Sequence, residues 1–311
     1  MNTHLASVER PLISIVVSLL NEEADVRRTA EALAKLRYPN KEVIFVDGGS
    51  TDRTPLILQE YVATHGFRLI QHRDRGVAEG RNRGILASRG EIVVILNADV
   101  HPNEDFLERI LPHYERGADY VLVQDCVANQ DALFPRFLEA QSRFFYHWQE
   151  SMNWTEGFSC RRSAALSVGL FPEIPGAGGE DAVFGERLAS RFKKAVDPSI
   201  VVFHTAPSTL QGYWAGRATR GRGIPFTNFF VYNIPRPFLL VRACLASCYA
   251  AIRILTVLPL AVTCVRIARY SPRGMKDVLP FFYVSAIEII ASRVGEWIGC
   301  LRLYRSARQE T

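Results

Sequence analysis

Several features are missing from this sequence of 311 residues, and each absence excludes a class of protein. The six cysteines form no C-x-x-C pair and no His/Cys cluster has zinc-ligand spacing, so neither a disulfide framework nor a structural zinc site is indicated, and a reducing cytosol fits best. No G-x-G-x-x-G follows the first predicted strand, which argues against a nicotinamide dehydrogenase. The N-terminal apolar run lies between Glu9 and Glu22 without a basic n-region or a small-residue cleavage site, so it predicts a strand and not a signal peptide.

Acidic residues are also missing from one long segment, between Pro198 and Lys276, although this segment carries ten Arg or Lys. Because the whole chain has a formal net charge of +5, the rest of the sequence is net acidic. Such segregation indicates an anionic partner, which is nucleic acid, acidic lipid headgroups or a phosphorylated substrate. Apolar runs separate the arginines, and this favours membrane lipid over nucleic acid.

The first 125 residues alternate short β-branched runs with longer amphipathic runs. This alternation is typical of βαβ units in an α/β fold with a mainly parallel sheet. Strands are predicted at 12–19, 42–46, 67–71, 91–96 and 120–124, and helices at 23–36, 54–64, 78–88 and 104–115. Ligands of such sheets bind beyond the carboxyl ends of the strands, so the polar residues that follow each strand are the candidates for function.

A turn motif, Asp47-Gly48-Gly49-Ser50, follows the second predicted strand. Its glycines permit a sharp turn, and a carboxylate at the strand tip can accept a hydrogen bond from a base N–H or from ribose hydroxyls. The alternative is the start of a helix that Ser50 or Thr51 caps. The motif alone leaves both interpretations open.

Polar residues at alternating positions follow the fourth predicted strand. Alternate side chains at a strand exit point the same way, so Asn97, Asp99 and His101 are expected to converge. Oxygen ligands with an imidazole suit Mg²⁺ or Mn²⁺ on a diphosphate. We favour this metal site over a capped loop before Pro102.

Adjacent carboxylates, Glu180 and Asp181, stand in a glycine-rich segment that starts at Gly176 and precedes a helix predicted at 182–189. Either they stabilise the positive end of this helix, or one of them is a general base that deprotonates a hydroxyl group. His204 ends a later apolar run. It is either a metal or phosphate ligand or, as is more common for a lone His near a strand, a structural residue.

Three arginines, Arg217, Arg220 and Arg222, stand within six residues among glycines. Forked guanidinium groups suit phosphate oxygens, so we expect a contact with a diphosphate or a lipid phosphate. The alternative is a solvated basic loop.

Two long apolar stretches follow, at 243–265 and 278–303. The first is long enough to cross a bilayer, but its central Arg253 costs about 2.5 to 3.5 kcal/mol on the insertion scale, so spanning is marginal. The charges of the second stretch fall within about half of the helix circumference, which favours a helix that lies along the interface. These charges are Glu288, Arg293, Glu296 and Arg302. A soluble helical subdomain is the alternative.

Five motifs, over about residues 11–223, resemble those of the family 2 glycosyltransferases with the GT-A fold. No single motif is specific, but five in this order are. They are Leu20-Asn21-Glu22 for Y-N-E, Val46 to Asp52 for V-D-x-G-S-T-D, Gly80-Arg81-Asn82-Arg83-Gly84 for A-R-N-x-G, Asn97-Ala98-Asp99 for D-x-D, and Gly179-Glu180-Asp181 for G-E-D. The resemblance is to membrane-associated bacterial enzymes of the exopolysaccharide or succinoglycan type.

The resemblance implies a role for each matched residue. Asp47 would contact the nucleobase, and Arg81 would support the donor. Asp99 would hold the metal on the diphosphate, and Asp181 would be the inverting base with Glu180 beside it. The full set of expected donor-binding residues is Ser18, Asn21, Glu22, Asp47, Ser50, Arg81, Asn97, Arg217, Arg220 and Arg222, and the expected metal ligands are Asp99, His101 and His204.

Two departures from related patterns qualify the resemblance. Asn97 stands where the family usually has an Asp that contacts the ribose or sugar of the donor, so the identity of the donor stays open. The Q-x-x-R-W signature of processive polysaccharide synthases is missing, because Gly-Tyr-Trp-Ala follows Gln211, and this argues for one sugar per encounter.

The sequence therefore predicts an inverting, Mg²⁺- or Mn²⁺-dependent glycosyltransferase at the cytoplasmic face of the plasma membrane. It would move a sugar from a UDP- or GDP-sugar to a lipid-linked or glycan acceptor, and nucleic acid is not expected as a partner. The predicted regions are a nucleotide-sugar-binding half at 1–125, an acceptor half at 126–223, and an apolar, arginine-rich helical membrane region at 224–311. Two alternatives stay open: a polyprenyl-phosphate sugar synthase, and a catalytically silent nucleotide-sugar-binding membrane scaffold.

Overall fold

The computed structural model describes residues 10–73, 76–146, 152–174 and 178–307. Gly176, the start of the predicted glycine-rich segment, lies outside these residues. The strands are β1 Ile13–Leu19, β2 Lys41–Asp47, β3 Arg68–Gln71, β4 Ile92–Asn97, β5 Val100–Pro102, β6 Tyr120–Val127, β7 Ser159–Arg161 and β8 Lys194–His204. The helices are α1 Val26–Ala34, α2 Thr54–His65, α3 Val77–Ala87, α4 Phe106–Glu115, α5 Leu133–Tyr146, α6 Arg162–Ser167, α7 Glu180–Ala189, α8 Leu210–Phe230, α9 Arg236–Leu255, α10 Leu258–Ala268 and α11 Val278–Ala307, with a short 3₁₀ helix at Gly274–Asp277.

The described strands form one mixed sheet in the order β3-β2-β1-β4-β7-β6-β8-β5. The first four strands in this order are parallel, because helices connect them in the βαβ manner. Strand β1 is buried along nearly its whole length, which explains why its sequence is an almost unbroken apolar run. The predicted α/β fold and the parallel half of the sheet are confirmed, with each predicted strand and helix of this half within a few residues of its expected bounds.

The second half of the sheet contains antiparallel pairs that the sequence did not predict. Strand β7 pairs antiparallel with both β4 and β6, and β5 pairs antiparallel with β8. Strands β5 and β7 have three residues each, which is too short for an alternating pattern to be recognised. Strand β5 begins directly after Asp99, so it places the end of β8 beside the exit of β4.

Helices cover both faces of the sheet and give it two apolar cores. One core packs α1, α2 and α4 on the sheet and contains Phe45 and Phe106, both nearly inaccessible to solvent. The other packs α3, α6 and α7 on the opposite face and contains Phe158 and Phe184. This layered arrangement leaves only the ends of the strands open to a ligand.

The arginine-rich segment 217–223 is part of helix α8 and is not a solvated loop, which corrects one of the two expectations for it. Gly221 of this segment and Gly295 of α11 serve close packing and not flexibility. A Cβ at Gly221 would overlap the backbone of Ser292 in α11, and a Cβ at Gly295 would overlap the carbonyl of Ala218 in α8. The boundary predicted at residue 223 therefore lies inside a helix that packs tightly on α11.

The first apolar stretch, 243–265, is not one helix as expected. Helix α9 ends at Leu255 and α10 begins at Leu258, with Val257 between them at a φ of 57°. Pro259 explains the break, because it lacks an N–H and its ring clashes with the carbonyl four residues earlier in a continuous helix. Within the described residues, two helical segments are long and apolar enough to cross a membrane by length and composition, Arg236–Leu255 and Gly274–Arg305.

The acidic residues of α11 make ion pairs inside the protein, so they do not face a membrane interface as expected. Glu288 accepts from Arg217 of α8 at 3.1 Å and from Gln141 of α5 at 2.6 Å. Glu296 has only 2% of its side chain exposed and lies 3.6 Å from Arg242 of α9. The two acidic residues of α11 therefore hold neighbouring helices, and they no longer support an interfacial position.

A buried ion pair connects the C-terminal helices to the α/β part of the chain. Arg136 of α5 donates to both carboxylate oxygens of Asp277, at 2.8 and 3.2 Å, and both side chains are almost fully buried. Next to this pair, the rings of Phe137 and Phe281 meet edge to face at 5.1 Å. The C-terminal quarter is thus a docked part of the fold.

Candidate active site

A cleft of about 610 Å³ opens at the carboxyl ends of the parallel strands. Ser18, Glu22, Gly48, Asn97 and Asp99 line it. Their proximity follows from the sheet register, in which Ser18 of β1 lies beside Asn97 of β4. Three separated segments of the sequence therefore meet in this first cleft.

The predicted donor-binding loops hold one another in place. Asp47 is fully buried, and one of its oxygens accepts from Ser50 N at 3.0 Å and from Ser50 Oγ at 2.6 Å. Ser50 Oγ accepts from Asn21 N at 2.8 Å, and Asn21 Oδ1 accepts from Thr51 N at 2.8 Å. Helix α2 begins only at Thr54, so neither Ser50 nor Thr51 caps it and that interpretation is wrong. The contacts instead make a rigid turn beside the cleft.

Carboxylates crowd one wall of the first cleft. Burial, together with the neighbouring carboxylates of Asp99, Asp25 and Asp52, raises the pKa of Glu22 to about 7. Burial also raises the pKa of Asp99, whereas nearby His204 lowers it. Such a concentration of acidic groups is favourable for a divalent cation, which stabilises their ionised forms.

The three predicted metal ligands do not form a closed metal centre. Among the described residues no three His, Cys, Asp or Glu side chains are grouped so that they could hold an ion by themselves. His101 lies in β5 with 8% exposure, and burial lowers its pKa. Mg²⁺ beside a nucleotide is usually held by one or two carboxylates together with substrate phosphates and water. Asp99, with His204 near it, fits this open type of site.

A buried arginine connects the first cleft to the second half of the chain. Arg81 donates to Asn97 Oδ1 at 3.0 Å and to Glu180 Oε1 at 3.1 Å. Its guanidinium lies over the rings of Trp154 and Phe171, at 5.1 and 5.2 Å from their centroids. These contacts hold the guanidinium in one orientation, in which it connects the first half of the chain to the second.

Glu156 occupies the other side of Asn97, and sequence reasoning missed it. Asn97 Nδ2 donates to both carboxylate oxygens of Glu156 at 3.0 Å. Burial raises the pKa of Glu156 to about 8, and the Arg81 guanidinium acts in the opposite direction. Glu156 follows no predicted strand and belongs to no recognised motif, so no local signal indicated it.

A second cleft of about 640 Å³ lies beyond this network. Asp125, Glu156, Glu180, Asp181 and Arg220 are among the residues that line it. Helix α7 begins at Glu180, so both predicted carboxylates lie in its first turn and also face the cleft. Glu180 is buried against Arg81, whereas Asp181 is partly exposed, with Oδ1 accepting from Ala182 N at 2.7 Å. Asp181 is thus the better placed of the two to meet a substrate.

The three arginines of α8 point in different directions. Arg217 pairs with Glu288 of α11, and Arg222 donates to Thr219 at 3.3 Å. Arg220 lines the second cleft. A helix turns about 100° per residue, so three neighbouring arginines cannot all face one phosphate. A role for Arg217 and Arg222 in donor binding stays a prediction.

Asp125 is a further candidate that the sequence could have indicated. It lies near the end of β6 and lines the second cleft. Burial raises its pKa, and His204 lowers it. The strand predicted at 120–124 ended one residue before Asp125, so the rule that polar residues follow strands would have found it.

Comparisons with known proteins agree with this geometry. Residues 14–174 match the family model described as glycosyl transferase family 2. The putative glycosyltransferase EpsH of Bacillus subtilis is 33% identical over 105 residues, which are 33% of this chain and 30% of that protein. A beta-monoglucosyldiacylglycerol synthase of Nostoc is 34% identical over 128 residues, which are 38% of this chain and 27% of that protein. The chain therefore spans about a third or less of the length of these relatives.

Solved structures show the same fold. The mannosyltransferase PcManGT from Pyrobaculum calidifontis, in complex with GDP-Man and Mn²⁺, is 22% identical with a TM-score of 0.62, over 93% of this chain and 88% of that one. S. aureus TarS 1–349 is 17% identical with a TM-score of 0.53, over 96% and 92% of the two chains.

Proposed function

We propose a specific reaction for this chain, which belongs to glycosyl transferase family 2 and is a glycosyltransferase with the GT-A fold. The enzyme moves a sugar, with inversion of configuration, from a UDP- or GDP-sugar to a lipid-linked or polysaccharide acceptor. One observation carries this proposal. Half-buried Asn97 lines the cleft with Asp99, buried Glu180 lines the cleft with Asp181, and the buried Arg81 guanidinium donates to both, so the two clefts meet at a shared wall of hydrogen-bonded side chains.

The first cleft is the proposed donor site. Asp47 and its rigid turn would bind the nucleoside, and Asp99 would hold Mg²⁺ or Mn²⁺ with His204 near it. When bound, such an ion neutralises the negative charge of the departing diphosphate. The crowded carboxylates of Glu22 and Asp25 support this assignment, because their mutual repulsion favours a cation in this cleft. The Mn²⁺ and GDP-Man named for PcManGT support the same assignment.

The second cleft is the proposed acceptor site. Asp181 would take the proton from the acceptor hydroxyl as that oxygen attacks the sugar carbon from the side opposite to the diphosphate. Glu180 accepts a hydrogen bond from Arg81 and would hold that guanidinium at the shared wall. Attack from one cleft on a bond that breaks in the other inverts the configuration at the sugar carbon.

A membrane location at the cytoplasmic face is the third part of the proposal. Helices α9 and α11 carry strongly exposed apolar side chains, among them Leu245, Leu255 and Leu279 at 66%, 80% and 81% exposure. An apolar surface of this kind, next to a segment rich in arginine, suits anionic membrane lipid. The names of two relatives, a glucosyldiacylglycerol synthase and a poly-N-acetylglucosamine synthase, support a lipid or a polysaccharide as acceptor.

A donor screen tests the proposal on the full chain in detergent with Mn²⁺. UDP-glucose, UDP-galactose, UDP-N-acetylglucosamine and GDP-mannose are supplied with lipid-linked oligosaccharide, bare polyprenyl phosphate or diacylglycerol as acceptor. We expect transfer from one donor, a product of opposite anomeric configuration by NMR, and a loss of about 10² to 10⁴ in kcat for Asp181→Asn. Glu115→Gln, an exposed carboxylate on α4, is the matched control.

Each contrary outcome has a definite meaning. Transfer to bare polyprenyl phosphate alone would identify a polyprenyl-phosphate sugar synthase. Binding of nucleotide without turnover on any acceptor would identify a silent scaffold. Retained configuration or full activity of Asp181→Asn would reject the assigned mechanism.

A further inference from the structure

The amide of Asn97 is held in one orientation by charged neighbours on both of its sides. Its oxygen accepts from Arg81, and its nitrogen donates to both carboxylate oxygens of Glu156. An amide has one accepting and one donating end, so these partners determine which end faces which side. Asn97 and Glu156 therefore form a unit, although they lie 59 residues apart in the sequence.

Glu156 lies where the two clefts meet. Its partner Asn97 lines the first cleft, and Glu156 itself lines the second cleft together with Asp181. In the proposed reaction the sugar has to sit between Asp99, on the diphosphate side, and Asp181, on the acceptor side. The Glu156 carboxylate is thus beside the position of the transferred sugar.

The carboxylate also keeps hydrogen-bonding capacity for a ligand. A carboxylate group offers about four lone-pair sites, and the Asn97 amide uses one on each oxygen. The remaining sites suit hydroxyl groups, which are the polar groups that a sugar presents.

We propose that Glu156, oriented by Asn97, binds hydroxyl groups of the donor sugar and is a specificity-determining residue of this enzyme. The inference rests on the proposed function and assigns the sugar-contacting part of that site. It also explains the amide at position 97. An Asp there would place a second carboxylate at hydrogen-bond distance from Glu156, and like charges so close cannot both ionise without cost.

The test compares the affinity for each nucleotide sugar with the affinity for its diphosphate. Calorimetry with Mn²⁺ measures UDP-glucose, UDP-galactose and UDP-N-acetylglucosamine against UDP, and GDP-mannose against GDP. For the preferred donor, we expect Glu156→Ala to weaken binding of the nucleotide sugar about tenfold or more, and to leave binding of the diphosphate within about twofold. Glu60→Ala, an exposed carboxylate on α2, is the matched control and should change neither affinity.

A reciprocal exchange separates this role from a structural one. Asn97→Asp alone should weaken nucleotide-sugar binding, because it sets two carboxylates against each other. The double variant Asn97→Asp with Glu156→Gln restores one amide and one carboxylate at the pair, so it should recover part of the loss. Glu156→Gln keeps the side-chain volume, and its circular dichroism and melting temperature check that the fold survives.

The possible contrary results distinguish an error in the role of Glu156 from an error in the proposed function. Glu156 variants that weaken diphosphate and nucleotide sugar equally, or weaken neither, overturn the inference and leave the proposed function standing. A wild-type chain in which no sugar changes the affinity of the diphosphate also contradicts it. A wild-type chain that binds no nucleotide rejects the proposed function itself.

Discussion

The Arg81 guanidinium donates to a Glu180 carboxylate oxygen at 3.1 Å across 99 residues of sequence. The two side chains are only 5% and 8% exposed, so the pair lies inside the protein. It connects α3, in the first half of the chain, to α7, in the second half. Arg81 also donates a hydrogen bond to Asn97 of β4, so it sets the separation between the two clefts.

Arg81→Lys should therefore impair catalysis and leave the fold intact. Lysine keeps the positive charge, but a single ammonium group cannot reproduce the fork that reaches both Glu180 and Asn97. We expect kcat/KM for the preferred donor to fall about tenfold or more, measured by initial rates. Arg83→Lys on the same helix, whose partner Glu79 is four residues away, is the control and should stay within about twofold. Equal activity of both variants would argue against a bridging role for Arg81.

Asp99→Asn should remove the effect of Mn²⁺ on nucleotide binding. The amide lacks the charge that attracts the ion, so the ion no longer adds affinity for a diphosphate. Wild-type protein at a ligand concentration 100 times its Kd should gain about 2.7 kcal/mol of stability, and EDTA should reverse most of it. Thermal shift with UDP or GDP measures this gain. Glu104→Gln, an exposed carboxylate on the loop before α4, should keep the full shift, and an unchanged shift in Asp99→Asn would contradict the metal assignment.

Glu156 should make stability depend on pH in the chelated, ligand-free protein. Burial raises the pKa of its carboxyl group to about 8, from the ordinary value of 4.5. The folded protein then keeps this proton to a higher pH than the unfolded chain, so folding stability falls as pH rises between these two values. Glu156→Gln cannot ionise and should flatten this part of the curve. Melting temperatures of both proteins from pH 5 to pH 9 check this. Parallel curves for the two proteins would show that Glu156 does not carry the effect.

Exposed leucines of the C-terminal helices should drive membrane binding. Burial of one leucine side chain contributes about 1.5 to 3 kcal/mol, so Leu245→Glu with Leu279→Glu should lower vesicle partitioning more than tenfold. Flotation with phosphatidylglycerol-containing vesicles measures the bound fraction. Leu56→Glu on α2, a leucine with 56% exposure, is the control. An unmodified chain that stays in the aqueous fraction would reject the membrane location.

Local sequence patterns predicted much of the parallel half of the fold. Strands that are buried on both faces need continuous apolar runs, and the turn Asp47-Gly48-Gly49-Ser50 needs glycine at Gly49, where φ is +96°. Asp99 was predicted as a site residue because polar residues at the end of a parallel strand face the ligand side of the sheet, and the structure places it in the lining of the first cleft. These features depend on neighbours within a few residues.

The arginines of α8 show a limit of prediction from local sequence patterns. Their spacing indicated a phosphate contact, but the helix directs Arg220 to the second cleft and Arg217 to Glu288. Gly221 between them looked like a loop residue, yet it allows α8 and α11 to approach closely. The orientation of a residue on a helix depends on what packs against that helix, which no short segment encodes.

The sequence by itself determined the α/β class, the ends of the parallel strands and the family motifs, because periodicity and turn chemistry are local properties. Only the tertiary structure decided that Arg81 meets Glu180, that Asn97 meets Glu156, and that the acidic residues of α11 are internal. These partners are distant in the sequence. Sheet register and helix packing bring them within hydrogen-bond distance, and both arise from the burial of apolar surface across the whole chain.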